Sequence, residues 1–303
     1  MTLLRKEAIL ICTYNRPEPL RKTLEAISGC RMLPEHLVIV DGSDKEQRLS
    51  EETIRGHLNR SDVTLHYRTS PAEASLQRDA TVSIIKDQAE LLHFLDDDVS
   101  PHQGYFEAIS RHMREHRDCV AAGGIILPLG KLPSEIRFLE KLFLLNSVKP
   151  GRWLRSGFTS EGQARRDLTR KAYTEVEWLS LCSLTVRSEV ASRYPFDPNL
   201  QKATRDDDLD FCIRIGREGE MHTVSSALIT HRKDSGDRDE VRRFVNLIRN
   251  RYYLLQKHRP GYLSALLFRW AMIGKMLALI RNGPEGRAKV IGMWRRNNAP
   301  NSH

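Results

Sequence analysis

The feature that most constrains this chain is the passage from residue 91 to residue 101, Leu-Leu-His-Phe-Leu-Asp-Asp-Asp-Val-Ser-Pro. Its apolar half reads as a buried strand, and three carboxylates then follow without a break before a proline turn. Adjacent like charges repel, and a partly buried carboxylate is costly unless something compensates it. A divalent cation held by hard oxygen ligands, Mg²⁺ or Mn²⁺, is the simplest compensation. Open α/β sheets bind ligands at the carboxyl ends of their strands, where this cluster falls. From this stretch alone, a solvated acidic turn or an Asp-rich helix start is the competing reading.

The flanking sequence places that strand in an alternating pattern. Residues 7–15 read as a buried strand running into a polar loop, stopped by Arg16, Pro17 and Pro19, and residues 20–27 carry helical spacing. Residues 36–41 form a second buried strand closed by the turn Asp41-Gly42-Ser43-Asp44, residues 63–68 a third, and residues 73–87 a helix. Strands alternating with helices at this pitch predict an α/β fold with a mostly parallel central sheet and right-handed crossovers. Each strand ends in polar residues, the layout of a nucleotide site at the sheet's carboxyl edge. No G-x-G-x-x-G and no G-x-x-x-x-G-K-[ST] occurs, which disfavours a dinucleotide fold and a P-loop. Bound phosphates would then need a metal and basic side chains, for which Arg16 and Arg78 are the candidates.

Downstream, residues 105–116 read as a helix and 119–127 as a strand with a weak point at Gly123-Gly124. Residues 128–175 read as long loops with one helix near 135–145, a place where substrate specificity often lives. Strand character resumes over 176–186. A second acidic run, Asp206-Asp207-Asp208, opens an amphipathic helix beginning just after Arg205 and ending at Gly219 as a C-cap. One Asp would serve that helix start; three invite a second explanation. A last strand over 221–230 delivers His231, a candidate metal ligand opposite the acidic clusters.

The net charge of +9 is unevenly spread. Residues 232–303 hold 16 Lys/Arg against 5 Asp/Glu, a net of +11, whereas the first 231 hold 32 against 34, a net of −2. A basic tail points to a polyanionic partner. Within it, residues 241–258 are amphipathic and 262–280 strongly apolar, with Arg269 and Lys275 arguing against a bilayer span. A helix packed on the domain or lying in the membrane interface fits better. Residues 281–296 continue basic, with Trp294 interleaved. The five cysteines are scattered without C-x-x-C spacing, so neither a zinc site nor a disulfide framework is indicated; they fit buried thiols in a reducing compartment. No signal peptide is read at residues 1–6.

Two carboxylate clusters about 110 positions apart suggest metal-assisted transfer from a diphosphate leaving group, with a second, metal-free carboxylate as general base. Here the chain resembles the inverting glycosyltransferases of family 2, of GT-A fold. The resemblance runs through Ile9-Leu10-Ile11-Cys12-Thr13-Tyr14-Asn15-Arg16-Pro17, Val38-Ile39-Val40-Asp41-Gly42-Ser43, Gln77-Arg78-Asp79 and Phe94-Leu95-Asp96-Asp97-Asp98. It continues through 178–187, Asp207-Asp208-Leu209-Asp210-Phe211-Cys212-Ile213-Arg214, His231 and Arg249-Asn250-Arg251-Tyr252-Tyr253, covering roughly residues 7–260.

What the resemblance implies is specific. Thr13, Asn15 and Arg16 line the nucleotide pocket, Asp41 contacts the base, and Arg78 and Asp79 lie beside the ribose and diphosphate. Asp96 and Asp98 are the outer members of a D-x-D motif, with Asp98 the direct metal ligand, Asp96 nearer the ribose, and His231 approaching the metal. The family's Glu-Asp pair falls on Asp207-Asp208, making Asp208 the general base, with a shift to its neighbour left open by the Asp-Asp sequence. Asp97 receives no chemical role. The family's small-residue acceptor segment appears as Leu181-Cys182-Ser183-Leu184.

The implied cofactor is Mn²⁺ or Mg²⁺, the donor a nucleoside-diphosphate sugar, and the acceptor a glycan or lipid-linked glycan in surface polysaccharide synthesis. The expected organisation is a nucleotide-sugar-binding half over 1–110, an acceptor and catalytic half over 111–235, and a basic helical region over 236–303. The expected location is cytoplasmic, with the basic tail on the anionic cytoplasmic face of the inner membrane. Two other readings are a nucleotidyltransferase, which would want a glycine-rich segment that 13–19 lacks, and a non-catalytic protein whose Tyr252, Tyr253, Trp270 and Trp294 stack on nucleic acid. The apolar residues between the tail's charges favour lipid over nucleic acid.

Overall fold

Continuous apolar runs in the early strands, buried on both sides, build a sheet with helices on both faces. In chain order, the computed structural model contains β1 (Thr2–Thr13), α1 (Pro17–Ser28), β2 (Met32–Asp41), α2 (Glu51–Leu58), β3 (Thr64–Thr69), α3 (Ala74–Ile85), β4 (Leu91–Asp96) and β5 (Val99–Pro101). There follow α4 (Tyr105–Glu115), β6 (Cys119–Leu127), α5 (Phe138–Leu142), β7 (Tyr173–Glu175), β8 (Leu184–Arg187), α6 (Ser188–Ala191), α7 (Asp206–Ile215), β9 (Glu220–His231), α8 (Glu240–His258) and α9 (Tyr262–Arg281). The structure describes residues 2–129, 138–160, 162–200, 206–232 and 240–281, with positions 283, 284, 286, 287, 290 and 291.

The chain divides into two units. The first comprises Met1–Gly130, Gly162–Pro198 and Asp207–Asp234 and carries the sheet, in the order β3-β2-β1-β4-β8-β6-β9-β5, with β7 also on β9. Strands β3, β2, β1 and β4 run parallel, as do β6 and β9, while β8, β5 and β7 run antiparallel to their neighbours. Side chains alternate across a strand. Ile9 and Ile11 of β1 therefore join one core with Leu20, Leu24 and Ile27 of α1 and Phe106, Ile109 and Met113 of α4. Ala8 and Leu10 join the opposite core with Val82 and Ile85 of α3 and Phe211, Cys212 and Ile215 of α7. The result is the expected α/β architecture with both faces of its parallel strands covered.

Three local expectations change. Strand character over 176–186 contracts to β8, because Leu179 and Leu181 are buried by a 3-10 turn, Leu181–Ser183, rather than by strand pairing. Gly219 is not a helix cap, since α7 ends at Ile215. A Cβ on Gly219 would lie 2.4 Å from the Asp118 carbonyl oxygen, so the residue permits a close chain crossing. Gly123 and Gly124 are likewise close-approach positions rather than a weak point. A Cβ there would fall 2.2 Å from the Ser183 oxygen and 2.5 Å from the Ala227 oxygen. Of the helix expected near 135–145, the described part is α5; residues 130–137, Arg205 and Trp294 lie outside the described residues.

The second unit comprises Lys131–Glu161, Asn199–Asp206 and Ser235–His303, and contains α5, α8 and α9. Gly274 of α9 meets the Phe143 ring, which a Cβ would approach to 2.2 Å, and Phe158 stacks on Phe268. Arg251 Nε of α8 lies 2.6 Å from Asp206 Oδ1, both side chains being buried. By length and composition alone, helix α9 is long and apolar enough to cross a membrane. Its exposed Tyr262, Leu266, Trp270, Ile273, Leu277 and Ile280 recur every three or four residues, forming one apolar stripe.

Candidate active site

The carboxyl edge of the first unit's sheet collects the ends of β1, β2, β4 and β9. Thr13 pairs in register with Asp41, and Cys12 with Asp96, so polar residues of three strands arrive level with one another. The chain then leaves β4 through Asp97 and Asp98 into β5, which pairs antiparallel with β9 so that Val99 faces His231. That hairpin-like closure brings His231 Nε2 to 3.1 Å from Asp98 Oδ1. Donor atoms of Asp96, Asp98 and His231 all lie within 4.8 Å of one another.

The middle carboxylate does different work. Asp97 is buried, and its Oδ2 accepts the Thr13 hydroxyl at 2.7 Å while its Oδ1 meets Arg16 Nη1 at 2.6 Å. Its main-chain oxygen lies 2.8 Å from the Thr23 hydroxyl, which also sits 2.9 Å from the Val99 oxygen. Arg232 completes the clasp, donating to the Val99 oxygen at 2.8 Å, to Thr23 Oγ1 at 2.6 Å and to the Pro19 oxygen at 3.1 Å. Asp97 therefore fastens the turn that presents its two neighbours, a structural role the sequence did not reveal.

The electrostatics separate the three acids. Burial, then the like charges of Asp208 and Asp98, push the Asp96 carboxyl up, with Arg78 and His231 opposing. Burial pushes Asp97 up to about 7 against Arg16 and the Thr13 hydroxyl. At Asp98 burial is outweighed: hydrogen bonds from His231 and Arg16 hold the carboxyl well below the usual carboxylate range. Asp98 Oδ2 meets Arg16 Nη2 at 2.8 Å, whereas Asp96 accepts no hydrogen bond among the described residues. A half-buried carboxylate without a donor, beside a second carboxylate and an imidazole, fits a divalent cation: two hard oxygens and one nitrogen suit Mn²⁺ or Mg²⁺.

The second acidic run supplies another carboxylate to the same edge. Asp208 is buried, and its Oδ2 accepts both the Ser180 hydroxyl and the Leu181 N–H at 3.1 Å. Asp207 pairs instead with Arg78 of α3, whose guanidinium also lies 5.5 Å from the Phe196 ring centre. Asp206 turns away to Arg251. The turn holding Asp208 is braced by Gln163, whose Oε1 accepts the Ser180 N–H at 2.6 Å and whose Nε2 donates to the Ser183 and Gly124 oxygens at 2.8 and 3.1 Å.

The remaining expected residues line the same edge but spend their polar atoms internally. Asn15 takes the left-handed conformation, φ 52°, which Asn tolerates. Its amide donates to Asp44 Oδ2 at 2.7 Å and accepts the Asp44 N–H at 2.9 Å. Asp41 is buried, accepting the Ser43 N–H at 2.7 Å and the Tyr67 hydroxyl at 3.0 Å. Asp79 accepts the Phe196 N–H at 2.9 Å, and burial pushes its carboxyl up. Thr23, Gln77, Gln163, Ser180 and Arg232 were missed. Gln77, buried on α3, donates to the Thr13 oxygen at 3.0 Å, and only its place beside Arg78-Asp79 could have drawn attention to it.

Residues 8–168 match the family model described as Glycosyl transferase family 2. No curated protein matches the sequence. Among solved structures, GalNAc-T7 with UDP, GalNAc and Mn²⁺ is 14% identical at a TM-score of 0.61, the match covering 93% of this chain and 58% of that one. The mannosyltransferase PcManGT from Pyrobaculum calidifontis, in complex with GDP-Man and Mn²⁺, is 12% identical at 0.57 over 97% and 80%. S. aureus TarS 1-349 in complex with UDP is 12% identical at 0.54 over 88% and 69%. The chain thus spans 58% of the length of GalNAc-T7. At these identities the likeness establishes the GT-A fold.

Proposed function

The chain belongs to glycosyl transferase family 2, and from that membership we propose a metal-dependent, inverting transfer of a sugar from a nucleoside-diphosphate donor to a glycan or lipid-linked glycan. The observation that carries this reading is the division of acids at one sheet edge. Asp96, Asp98 and His231 converge as a donor set, while Asp208 is held apart by Ser180 and Leu181. The UDP, GDP-Man and Mn²⁺ of the structural neighbours support the donor class and the ion.

Asp96, Asp98 and His231 would hold the ion, which when bound neutralises charge developing on the departing diphosphate. Asp208 accepts the proton of the acceptor hydroxyl as its oxygen attacks the anomeric carbon on the face opposite the leaving group. The bond from that carbon to the phosphate oxygen breaks, and the configuration inverts. Asp207, neutralised by Arg78, is the weaker candidate for this role. Arg78 and Asp79 shape the ribose–diphosphate side, while Thr13, Asn15, Arg16 and Asp41 set the wall that receives the nucleotide.

The apolar stripe of α9 and the +11 charge of residues 232–303 support a peripheral position on an anionic membrane, where a lipid-linked acceptor in surface polysaccharide synthesis is presented. Ile273→Glu with Leu277→Glu should reduce co-sedimentation with anionic vesicles; retention of full binding would remove the membrane from the account. The test of the enzymatic reading is a panel of nucleotide-sugars with and without Mn²⁺, following thermal stabilisation and slow hydrolysis. One donor class should respond in a Mn²⁺-dependent manner, and silence from every donor would overturn the proposal.

A further inference from the structure

At the opposite edge of the same sheet, where β6 and β9 begin, a second group of donors converges. His112 near the end of α4, Cys119 at the start of β6 and His222 near the start of β9 place two ring nitrogens and a thiol within 4.8 Å of one another. All three side chains are buried. They come from three elements, so no single helical or strand spacing accounts for their meeting. His112 Nε2 lies 2.9 Å from His222 Nδ1, and His222 Nε2 lies 3.0 Å from the Glu220 carboxylate.

That outer carboxylate decides the tautomer. It accepts the Nε2 proton of His222 and so turns the Nδ1 lone pair inward, toward His112 and Cys119. A carboxylate on the far nitrogen is the usual way a protein orients a metal-binding histidine. Two further rings enclose the group. His116 stacks on His112 with centroids 4.1 Å apart, and Tyr173 lies 5.0 Å from His112 and 4.5 Å from His222.

We propose that His112, Cys119 and His222 supply three of the four ligands of a structural Zn²⁺ site, water taking the fourth, with Glu220 orienting His222 from behind. Two imidazoles and one thiolate suit Zn²⁺ and discriminate against Mg²⁺ and Mn²⁺, the reverse of the oxygen-rich group at the other edge. Strand β9 carries both groups: its neighbour β6 pairs Ala122 with His222 and Leu127 with Thr230, so His222 and His231 stand about 20 Å apart at ~3.3 Å per residue. Zn²⁺ there ties the end of α4 to the starts of β6 and β9 and touches no reactant. Binding releases one proton, from the Cys119 thiol, while the Nε2 proton of His112 moves to its Nδ1. The site stands independently of the glycosyl-transfer reading.

The test uses the full chain, stripped with chelator and kept in excess Mg²⁺ to occupy the carboxylate group. Titration with Co²⁺ should give a thiolate-to-cobalt charge-transfer band that saturates at one equivalent and is displaced by Zn²⁺. X-ray absorption of the zinc-loaded protein should show one sulfur with imidazole nitrogens. Cys119→Ser should lose the band, and Glu220→Gln should weaken Zn²⁺ affinity by about 10–100-fold. Absence of the thiolate band in the wild-type chain overturns the proposal without recourse to any variant. A band that survives in Cys119→Ser overturns it equally.

Discussion

Asp96-Asp97-Asp98 leaves the end of a strand, whereas Asp206-Asp207-Asp208 opens a helix, and the two identical tripeptides meet different partners for that reason. The strand ends at Asp96, and the next two acids lie in the turn that follows it. That turn brings donor atoms of Asp96 and Asp98 close to His231, sets Asp97 against Thr13, and lets Arg16 bridge Asp97 and Asp98. In a helix successive residues are about 100° apart. The three acids of α7 therefore diverge, Asp206 to Arg251, Asp207 to Arg78 and Asp208 to Ser180 and Leu181. The turn after a strand leaves two of three acids beside one imidazole; a helix start sends its three carboxylates to three different partners.

The comparison breaks most visibly at Asp208. Asp208→Asn should lower transfer by about 10²–10⁴-fold with donor affinity retained, the loss expected of a general base. Asp207→Asn should cost clearly less; steady-state kinetics showing the opposite ranking would move the base one position back. Next in size is the buried pair at the helix start. Arg251→Ala removes the guanidinium beside the buried Asp206 carboxylate and should cost about 3–5 kcal/mol in urea unfolding. A smaller change sharpens the role of the middle acid. Asp97→Ala removes the acceptor of the Thr13 hydroxyl and one of the carboxylates beside Arg16, which keeps Asp98, and should cost about 1–3 kcal/mol of stability. Its Mn²⁺ affinity, read by calorimetry, should stay closer to wild type than that of Asp98→Ala.

The parallel half of the sheet was legible because its strands are short, dense apolar runs: Leu37 to Val40 is unbroken and Leu91 to Leu95 is interrupted only by His93, which fits strands buried on both faces. Helix α2 had no counterpart in the sequence reading, since only Ile54 and Leu58 on it are buried and two positions do not make a period. The apolar stretch before β8 misled for a physical reason. Leu179 and Leu181 are buried to hold a turn whose Ser180 hydroxyl and Leu181 N–H serve Asp208, and burial alone does not distinguish that from a strand. At the site, acid spacing and the histidine that ends β9 pointed to Asp96, Asp98 and His231. The fastening contacts of Asp97, Gln163 and Arg232 were invisible, because each joins segments far apart in sequence and none follows a local pattern.

The most direct measurement is Mn²⁺ binding by electron paramagnetic resonance, with a nucleoside diphosphate present, in the wild-type chain, Asp98→Asn and Asp208→Asn. The account predicts that Asp98→Asn loses the ion while Asp208→Asn keeps it at near wild-type affinity. Equal binding by all three proteins, or loss only in Asp208→Asn, would contradict the division of labour between the two acidic runs.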